Sequence, residues 1–538
     1  MLSKIIIFFV LVFSVFGWLS PFHMNPWLTV TSEICVYISL FLLILNYRNN
    51  DVLVPKISIL MLIIPLIPVI QYFSGIILFF ETALLCFAYL ACANLSFIYG
   101  YNYYQKYNDS VIYILMSVLC ISTCITIIFA LTQFFGLEKN IWFISPLNAA
   151  GRIFANFAQP NNMATFLVIG LLSSFWLFQN NKIHGLTIGL IGFFLIFVLY
   201  YSYSRVGYVE LILSMVFLFI YSLKGNRKNI KYIILFLLLF FIFTYLDRSI
   251  INLVNSFDLG FVVKESFLER VSNFGGRYTM WPQMIMAIKE SSFFGYGWNQ
   301  TAIAQIEGAK FLYHSEQTRS AHNIILDLII WNGIFLGSII VGFLTYLFFK
   351  IIFLSTGSIF LKLMIICFSI HALLEFPQNY ACFLFLVFFI MGVLWCNVSK
   401  NESYKMNYNL NAIFLFIYLF VFGAILHDYL NFKYILVNYD RVEYKANNVK
   451  EKIFFLDRID ALLDWVFVDK KKGMSNDELN LFKKFVISAP TEYNLINMTK
   501  ILIINNKLDE SKQFYKILQN LYHTNISYEE IFNSVSNK

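Results

Sequence analysis

The run Ser320-Ala321-His322-Asn323-Ile324-Ile325-Leu326 puts a single histidine where a polar stretch meets a long apolar one. An imidazole titrates near neutral pH, so at the mouth of an apolar span it is suited to proton chemistry at a bilayer surface. The plainer reading of that position is an interfacial ring that only reaches toward headgroups. Four arginines bring a second chemistry. Arg152 lies in Asn148-Ala-Ala-Gly-Arg-Ile-Phe-Ala-Asn, Arg205 in Tyr200-Tyr-Ser-Tyr-Ser-Arg-Val-Gly, Arg277 in Gly276-Arg-Tyr-Thr-Met-Trp, and Arg319 just before the histidine. A guanidinium is planar, permanently charged and able to hold two oxygens at once, which suits a diphosphate. Each arginine taken alone is equally explained by a lipid headgroup or a local carboxylate, as Glu210 is for Arg205.

The elements that must position these groups are membrane helices. The chain has 538 residues, 59% of them hydrophobic and only 13% charged, with a mean hydropathy of +0.69. An ordinary soluble domain is about 45–50% apolar, so the bilayer is the solvent for most of this one. Apolar windows of about twenty residues recur near 4–20, 27–46, 53–72, 75–98, 109–135, 161–179, 184–200, 206–223, 232–246, 322–350, 357–375, 380–397 and 411–430. The sequence therefore predicts an all-α polytopic membrane protein of roughly thirteen transmembrane helices, over residues 1–430. A large periplasmic loop is expected at about 247–321 and a helical periplasmic domain over 431–538. The first twenty residues lack a small-residue cleavage site and are followed at once by another span, so they read as a retained helix.

Orientation follows the basic residues of short loops. With the amino terminus inside, Lys4, Arg48, Lys56, Lys106, Lys182, Lys224, Arg227, Lys228, Lys231, Lys350, Lys362, Lys400 and Lys405 all fall on one side. Arg152, Arg205, Arg277 and Arg319 fall on the other, against the bias, and invite a functional reason. After Arg277, Trp281, Ile285 and Ile288 share one face, which predicts an amphipathic helix lying on the membrane. The net charge of +8 is spread through these short connections, which argues against nucleic acid as a partner. All eight cysteines lie in apolar spans, so neither a disulfide framework nor a metal site is readable. In the tail, residues 494–518 read as one tetratricopeptide-like helix pair, with Ser511, Tyr515 and Leu518 at that repeat's spacing. A single repeat cannot bury itself, so it is expected to pack on helices from about Asn447 to Ser488.

Most intramembrane carriers show ionisable groups at mid-membrane depth. Here Glu33, Glu81, Glu210, Asp327 and Glu375 sit mostly near outer span ends, which favours surface chemistry on a lipid-linked anion over solute transport. Several motifs then occur in order: Gln159-Pro-Asn-Asn-Met-Ala-Thr, Ser204-Arg-Val-Gly, Arg277-Tyr-Thr-Met-Trp, Phe294-Gly-Tyr-Gly-Trp-Asn-Gln, Ala321-His-Asn-Ile-Ile-Leu-Asp and Leu374-Glu-Phe-Pro-Gln-Asn-Tyr. This ordered set, over nearly the whole chain, resembles bacterial O-linked oligosaccharyltransferases of the pilin-glycosylation ligase type, in the O-antigen ligase and polymerase superfamily.

The resemblance implies transfer of a preassembled glycan from undecaprenyl diphosphate to Ser or Thr of a pilin or other exported protein. That would occur at the periplasmic face of the bacterial inner membrane, with no metal and no cofactor beyond the lipid-linked donor. It makes His322 the essential loop histidine and Arg205, Arg152, Arg277 and Arg319 the diphosphate ligands. Gln159, Asn161, Glu375, Tyr380 and His371 are supporting residues. The segment Phe376-Pro-Gln-Asn-Tyr departs from the family pattern, which leaves the match at Tyr380 open by a residue or two. Asp327, five positions past His322 and about 140° round a helix, is poorly placed to orient the imidazole. His314 is the competing histidine of the same loop. Three other readings keep their own tests: ligation to lipid A-core or polymerisation of repeat units, a lipid-linked sugar flippase that would dispense with His322, and a membrane scaffold that would dispense with the arginines.

Overall fold

The computed structural model describes residues 2–23, 25–147, 151–225, 227–256, 276–399, 402–439, 453–467 and 473–536. Its elements run α1 (Leu2–Leu19), α2 (Val30–Asn46), β1 (Val52–Pro55), α3 (Lys56–Met61), α4 (Ile63–Phe73), α5 (Phe80–Tyr107), α6 (Asp109–Phe134), α7 (Pro160–Gln179), α8 (Gly185–Tyr201), α9 (Arg205–Lys224) and α10 (Ile230–Ser256). There follow α11 (Arg277–Glu290), α12 (Thr301–Gly308), α13 (Ile324–Leu354), α14 (Ile359–Leu374), α15 (Ala381–Trp395), β2 (Ser403–Met406), α16 (Tyr408–Asn438), α17 (Asp457–Phe467), α18 (Asn476–Ser488), α19 (Glu492–Ile504), α20 (Leu508–Tyr522) and α21 (Tyr528–Ser536). The described residues are mostly helical. Among the described residues the sheet is a single antiparallel pair, Val52 opposite Met406 through Pro55 opposite Ser403.

Among the described residues, eight helical segments are long and apolar enough to cross a bilayer: Lys56–Phe73, Phe80–Tyr107, Asp109–Phe134, Pro160–Gln179, Arg205–Lys224, Arg227–Val254, Ile324–Leu354 and Tyr408–Asn438. Five shorter apolar helices, of 10–17 residues, lie at Lys4–Leu19, Val30–Asn46, Gly185–Tyr201, Ile359–Leu374 and Ala381–Trp395. The region expected as one long loop is partly helical. α10 continues to Ser256, and α11 and α12 lie within it; residues 257–275 are outside the described residues.

The chain forms two compact units that interleave along the sequence. The first comprises Met1–Ser58, Cys92–Asn273 and Leu347–Leu415. Its centre is α7, which is buried along almost its whole length, from Asn162 through Leu177. Such a helix is apolar all round because it meets protein on every side. Small residues permit the closest crossings: a side chain at Gly100 of α5 would meet the Phe389 carbonyl of α15, and one at Gly392 the Phe97 carbonyl.

The second unit comprises Ile59–Ala91, Phe274–Tyr346 and Phe416–Lys538. Residues 431–538, expected as a domain of their own, thus belong with two earlier stretches. Phe482, Phe485, Leu495, Met498, Leu502 and Leu518 of the tail share one apolar core with Phe79 and with Ile306 and Ala309. Two acids fix this arrangement by exchanging helix caps. Asp457 accepts from the Phe80 and Glu81 amides at 2.9 and 2.8 Å, and Glu81 accepts from the Ile459 amide at 2.7 Å. The helix pair read at residues 494–518 is present as α19 and α20. Of the supporting segment at 447–488, residues 447–452 and 468–472 lie outside the described residues.

One side of α11 packs against protein, and part of the face expected to meet the membrane points outward. Met280, Gln283, Met284 and Ala287 are buried, whereas Ile285 is exposed. The unit's own core, which includes Trp298, Leu328 and Trp331, takes the methionine side of the helix. Apolar periodicity cannot distinguish burial in protein from burial in lipid.

Candidate active site

In the first unit, four separate sequence stretches meet at Asn161, on the first turn of α7. Its Nδ2 donates to Glu375 Oε1 at 2.8 Å, and its Oδ1 accepts from Ser204 Oγ at 2.8 Å and Arg152 Nη2 at 3.4 Å. Arg152 also donates from Nε to the Ser202 carbonyl (3.0 Å) and from Nη2 to the Tyr203 carbonyl (3.1 Å). Its guanidinium thereby secures the turn that ends α8. Ser204 caps α9 by accepting from the Gly207 amide at 3.2 Å, so Arg205 occupies the first helical position, half-buried at a helix N-terminus. A helix N-terminus with a cation at its first position favours an anion.

Gln159 is the residue before α7, in extended conformation, with Pro160 at the first turn. Tyr380 stands at the start of α15 with the Asn162 side chain and Glu375 in its surroundings. One turn deeper in α7, the Thr165 hydroxyl donates to Glu210 Oε1 at 2.9 Å and lies 2.8 Å from His371 Nδ1. His371 of α14 thus has its ring engaged across the bundle.

The second unit holds His322, half-buried, with a backbone φ of 51°. This left-handed conformation costs a residue other than glycine of order 1–3 kcal/mol and persists only where its surroundings impose it. Here they do. The His322 amide donates to Ser320 Oγ at 3.0 Å, and Ser320 Oγ donates to Asp327 Oδ2 at 2.6 Å. Asp327 Oδ1 accepts from the Ala321 amide at 2.8 Å and from Thr301 Oγ1 at 3.0 Å. Thr301 in turn accepts from Trp331 Nε1 at 2.8 Å, while Trp281 Nε1 donates to the Ala321 carbonyl at 2.9 Å. Asp327 is wholly buried, and it acts on the backbone ahead of His322. Helical spacing measured from the histidine had hidden this, because the chain turns sharply at His322.

The motif Phe294-Gly-Tyr-Gly-Trp-Asn-Gln has a structural explanation. Gly333 breaks α13 with φ 74°, freeing two carbonyls; Ile330 accepts from the Tyr296 amide at 2.9 Å and Trp331 from the Gly297 amide at 3.1 Å. Gly295 and Gly297 have φ of 73° and 93°, and a side chain at Gly295 would strike the Gly333 amide. This plug fixes the half of α13 that begins beside His322.

Arg277, half-buried, opens α11, and Arg319 is exposed with Arg458 as a neighbouring cation. His314 is buried, and its Nδ1 lies 2.9 Å from Thr279 Oγ1. Burial pulls its pKa below the usual imidazole value, with His322 adding to the shift and Glu316 opposing it. Among the described residues, no group of three His, Cys, Asp or Glu side chains is arranged to hold a metal ion. Sequence reasoning missed Ser320, Thr301, Trp281, Trp331 and Thr165 as partners in these networks. The one available signal was Asp327 itself, an acid within an apolar span.

Residues 190–341 match the O-antigen ligase family, residues 359–528 the C-terminal region of virulence factor membrane-bound polymerases, and residues 153–178 the protein glycosylation ligase family. The chain is 30% identical over 529 residues to the General O-oligosaccharyltransferase of Acinetobacter baylyi, which covers 96% of this chain and 92% of that protein. It is 27% identical over 482 residues to the ComP-specific O-oligosaccharyltransferase of the same organism, over 86% of this chain and 85% of that one. No solved structure matches it. Asn161 lies in the third of these matched stretches, Ser204, His322 and Asp327 in the first and Glu375 in the second, and the chain is similar to the first relative almost from end to end. This chain belongs to the bacterial O-oligosaccharyltransferase family within the O-antigen ligase superfamily, and is a glycosyltransferase.

Proposed function

We propose that this enzyme moves a glycan from undecaprenyl diphosphate to Ser or Thr of a pilin or another exported protein. The observation that carries this reading is the 30% identity, over 96% of the chain, to a protein named General O-oligosaccharyltransferase. The reaction would run at the periplasmic face of a bacterial inner membrane. The chain would span that membrane thirteen times, with its tetratricopeptide-like tail on the same side. Breaking the sugar–phosphate bond builds positive character at the anomeric carbon and negative charge on the departing diphosphate. Arg205 at its helix N-terminus stabilises that charge, with Arg152, Arg277 and Arg319 as the further cations; one such preorganised donor is worth about 2.7–4 kcal/mol. Neutral His322 takes the proton of the attacking hydroxyl. Asn161 and Glu375 hold the arginine-bearing turn, Tyr380 donates a hydrogen bond, and Gln159 and His371 support them. No metal or cofactor takes part beyond the lipid-linked donor.

The test is intact-mass spectrometry of an exported pilin in a bacterium that makes an undecaprenyl-linked glycan. A glycan-sized increase with the wild-type chain and none with His322→Ala is the expected result. The matches to O-antigen ligases and membrane-bound polymerases favour a second reading, in which the acceptor is lipid A-core or a growing glycan. Altered lipopolysaccharide with an unmodified pilin would select it.

A further inference from the structure

We infer that Asp327 is a positioning residue for His322, acting through the backbone of Ser320–His322. The inference rests on His322 being the proton acceptor proposed above. Three hydrogen bonds converge on this one buried carboxylate, from Ser320 Oγ, the Ala321 amide and Thr301 Oγ1. Two of the donors belong to the residues immediately before His322. The third, Thr301, is itself fixed by the Trp331 indole, two residues from the break at Gly333. Ser320 completes the link, because the same hydroxyl that donates to Asp327 accepts the His322 amide. Trp281 clamps the opposite edge of the segment through the Ala321 carbonyl.

The choice of an aspartate follows from the donor set. A carboxylate only accepts, and all three of its neighbours donate. Asparagine has the same shape but turns an NH2 group toward at least one of those donors. Buried bonds to a charged acceptor are stronger than neutral ones, and the left-handed turn at His322 needs that hold. Asp327 thereby sets where the imidazole starts from. Proton transfer is sensitive to a displacement of this kind.

The measurement is steady-state transfer by the full-length enzyme in detergent. The donor is lipid-linked oligosaccharide from the expressing strain, and the acceptor is the protein that the intact-mass assay identifies. Asp327→Asn is expected to lower kcat about 10- to 100-fold with the donor KM within about twofold of wild type. Ser320→Ala, which leaves the other two bonds to Asp327 in place, is expected to lower kcat about 5- to 50-fold, and Ser320→Thr to restore most of it. Wild-type kcat in folded Asp327→Asn would overturn the inference. If that variant does not fold, Ser320→Ala decides alone, and wild-type turnover there overturns it. A matched rise in donor KM, with kcat unchanged, would also overturn it by assigning Asp327 to binding. An active His322→Ala enzyme would instead overturn the role proposed for the histidine, which is a separate result.

Discussion

Asn161 Nδ2 donates to Glu375 Oε1 at 2.8 Å across 214 positions of sequence. The carbonyl of that same amide receives Ser204 and Arg152. Three of the polar motifs that stand far apart in the chain are therefore three sides of one hydrogen-bonded cluster, with Arg205 next to it on α9.

His322→Ala is expected to lower glycan transfer by about 10²–10⁴-fold while the protein still accumulates in the membrane fraction. Quantifying modified acceptor against membrane-inserted enzyme checks both halves. Activity near wild type would remove the histidine from the mechanism.

Arg205→Lys keeps the charge but loses the planar fork. Transfer is expected to fall by about tenfold or more, which is more than a conserved charge would predict. Arg152→Lys is expected to act differently, by loosening the Ser202–Tyr203 turn that its guanidinium holds. A lowered thermal midpoint for Arg152→Lys, with an unchanged one for Arg205→Lys, would separate a scaffold role from a ligand role.

Thr165→Val removes the hydroxyl shared by Glu210 and His371 and leaves both buried without it. A cost of about 1–3 kcal/mol is expected, read as a lower midpoint in a thermal aggregation assay. Thr165→Ser keeps the hydroxyl and should retain most of the stability. Equal midpoints for Val and Ser would show that the network contributes little.

Burial pulls the His314 pKa below its unfolded value, so the unfolded chain binds the extra proton first. Stability linked to this group is complete above the unfolded value of about 6.5 and is lost as pH falls through that value toward the folded one. The thermal midpoint should therefore decline on acidification from pH 7 to 5.5, and His314→Gln should flatten part of that decline. An identical slope in the variant would disconnect His314 from acid sensitivity.

Removal of the chain after Asn438 uncovers Phe79, Ile306 and Ala309, which share their core with the tail helices. The truncated protein is expected to lose most of its membrane accumulation. The milder Phe482→Ala should cost about 3–5 kcal/mol. A truncation that accumulates normally and stays monodisperse would show that the tail is dispensable to the rest of its unit.

The bilayer-spanning helices were legible in the sequence because twenty apolar residues in a row have one stable use, and hydropathy needs no partner to act. The candidate groups were legible too, since arginines and a histidine at the ends of apolar runs stand out by type alone. What could not be read was who holds them. Asn161 is an ordinary polar residue until α9 and the turn after α14 are brought to it, and Asp327 misleads as long as a straight helix is assumed through His322. The buried face of α11 required knowing whether protein or lipid covers it, and the tail required Phe79 and Ile306 to be placed beside it. Hydrophobic burial is a property of each segment and is written locally. Hydrogen-bond partnership belongs to pairs far apart in the chain, and only the folded structure brings them within 3 Å.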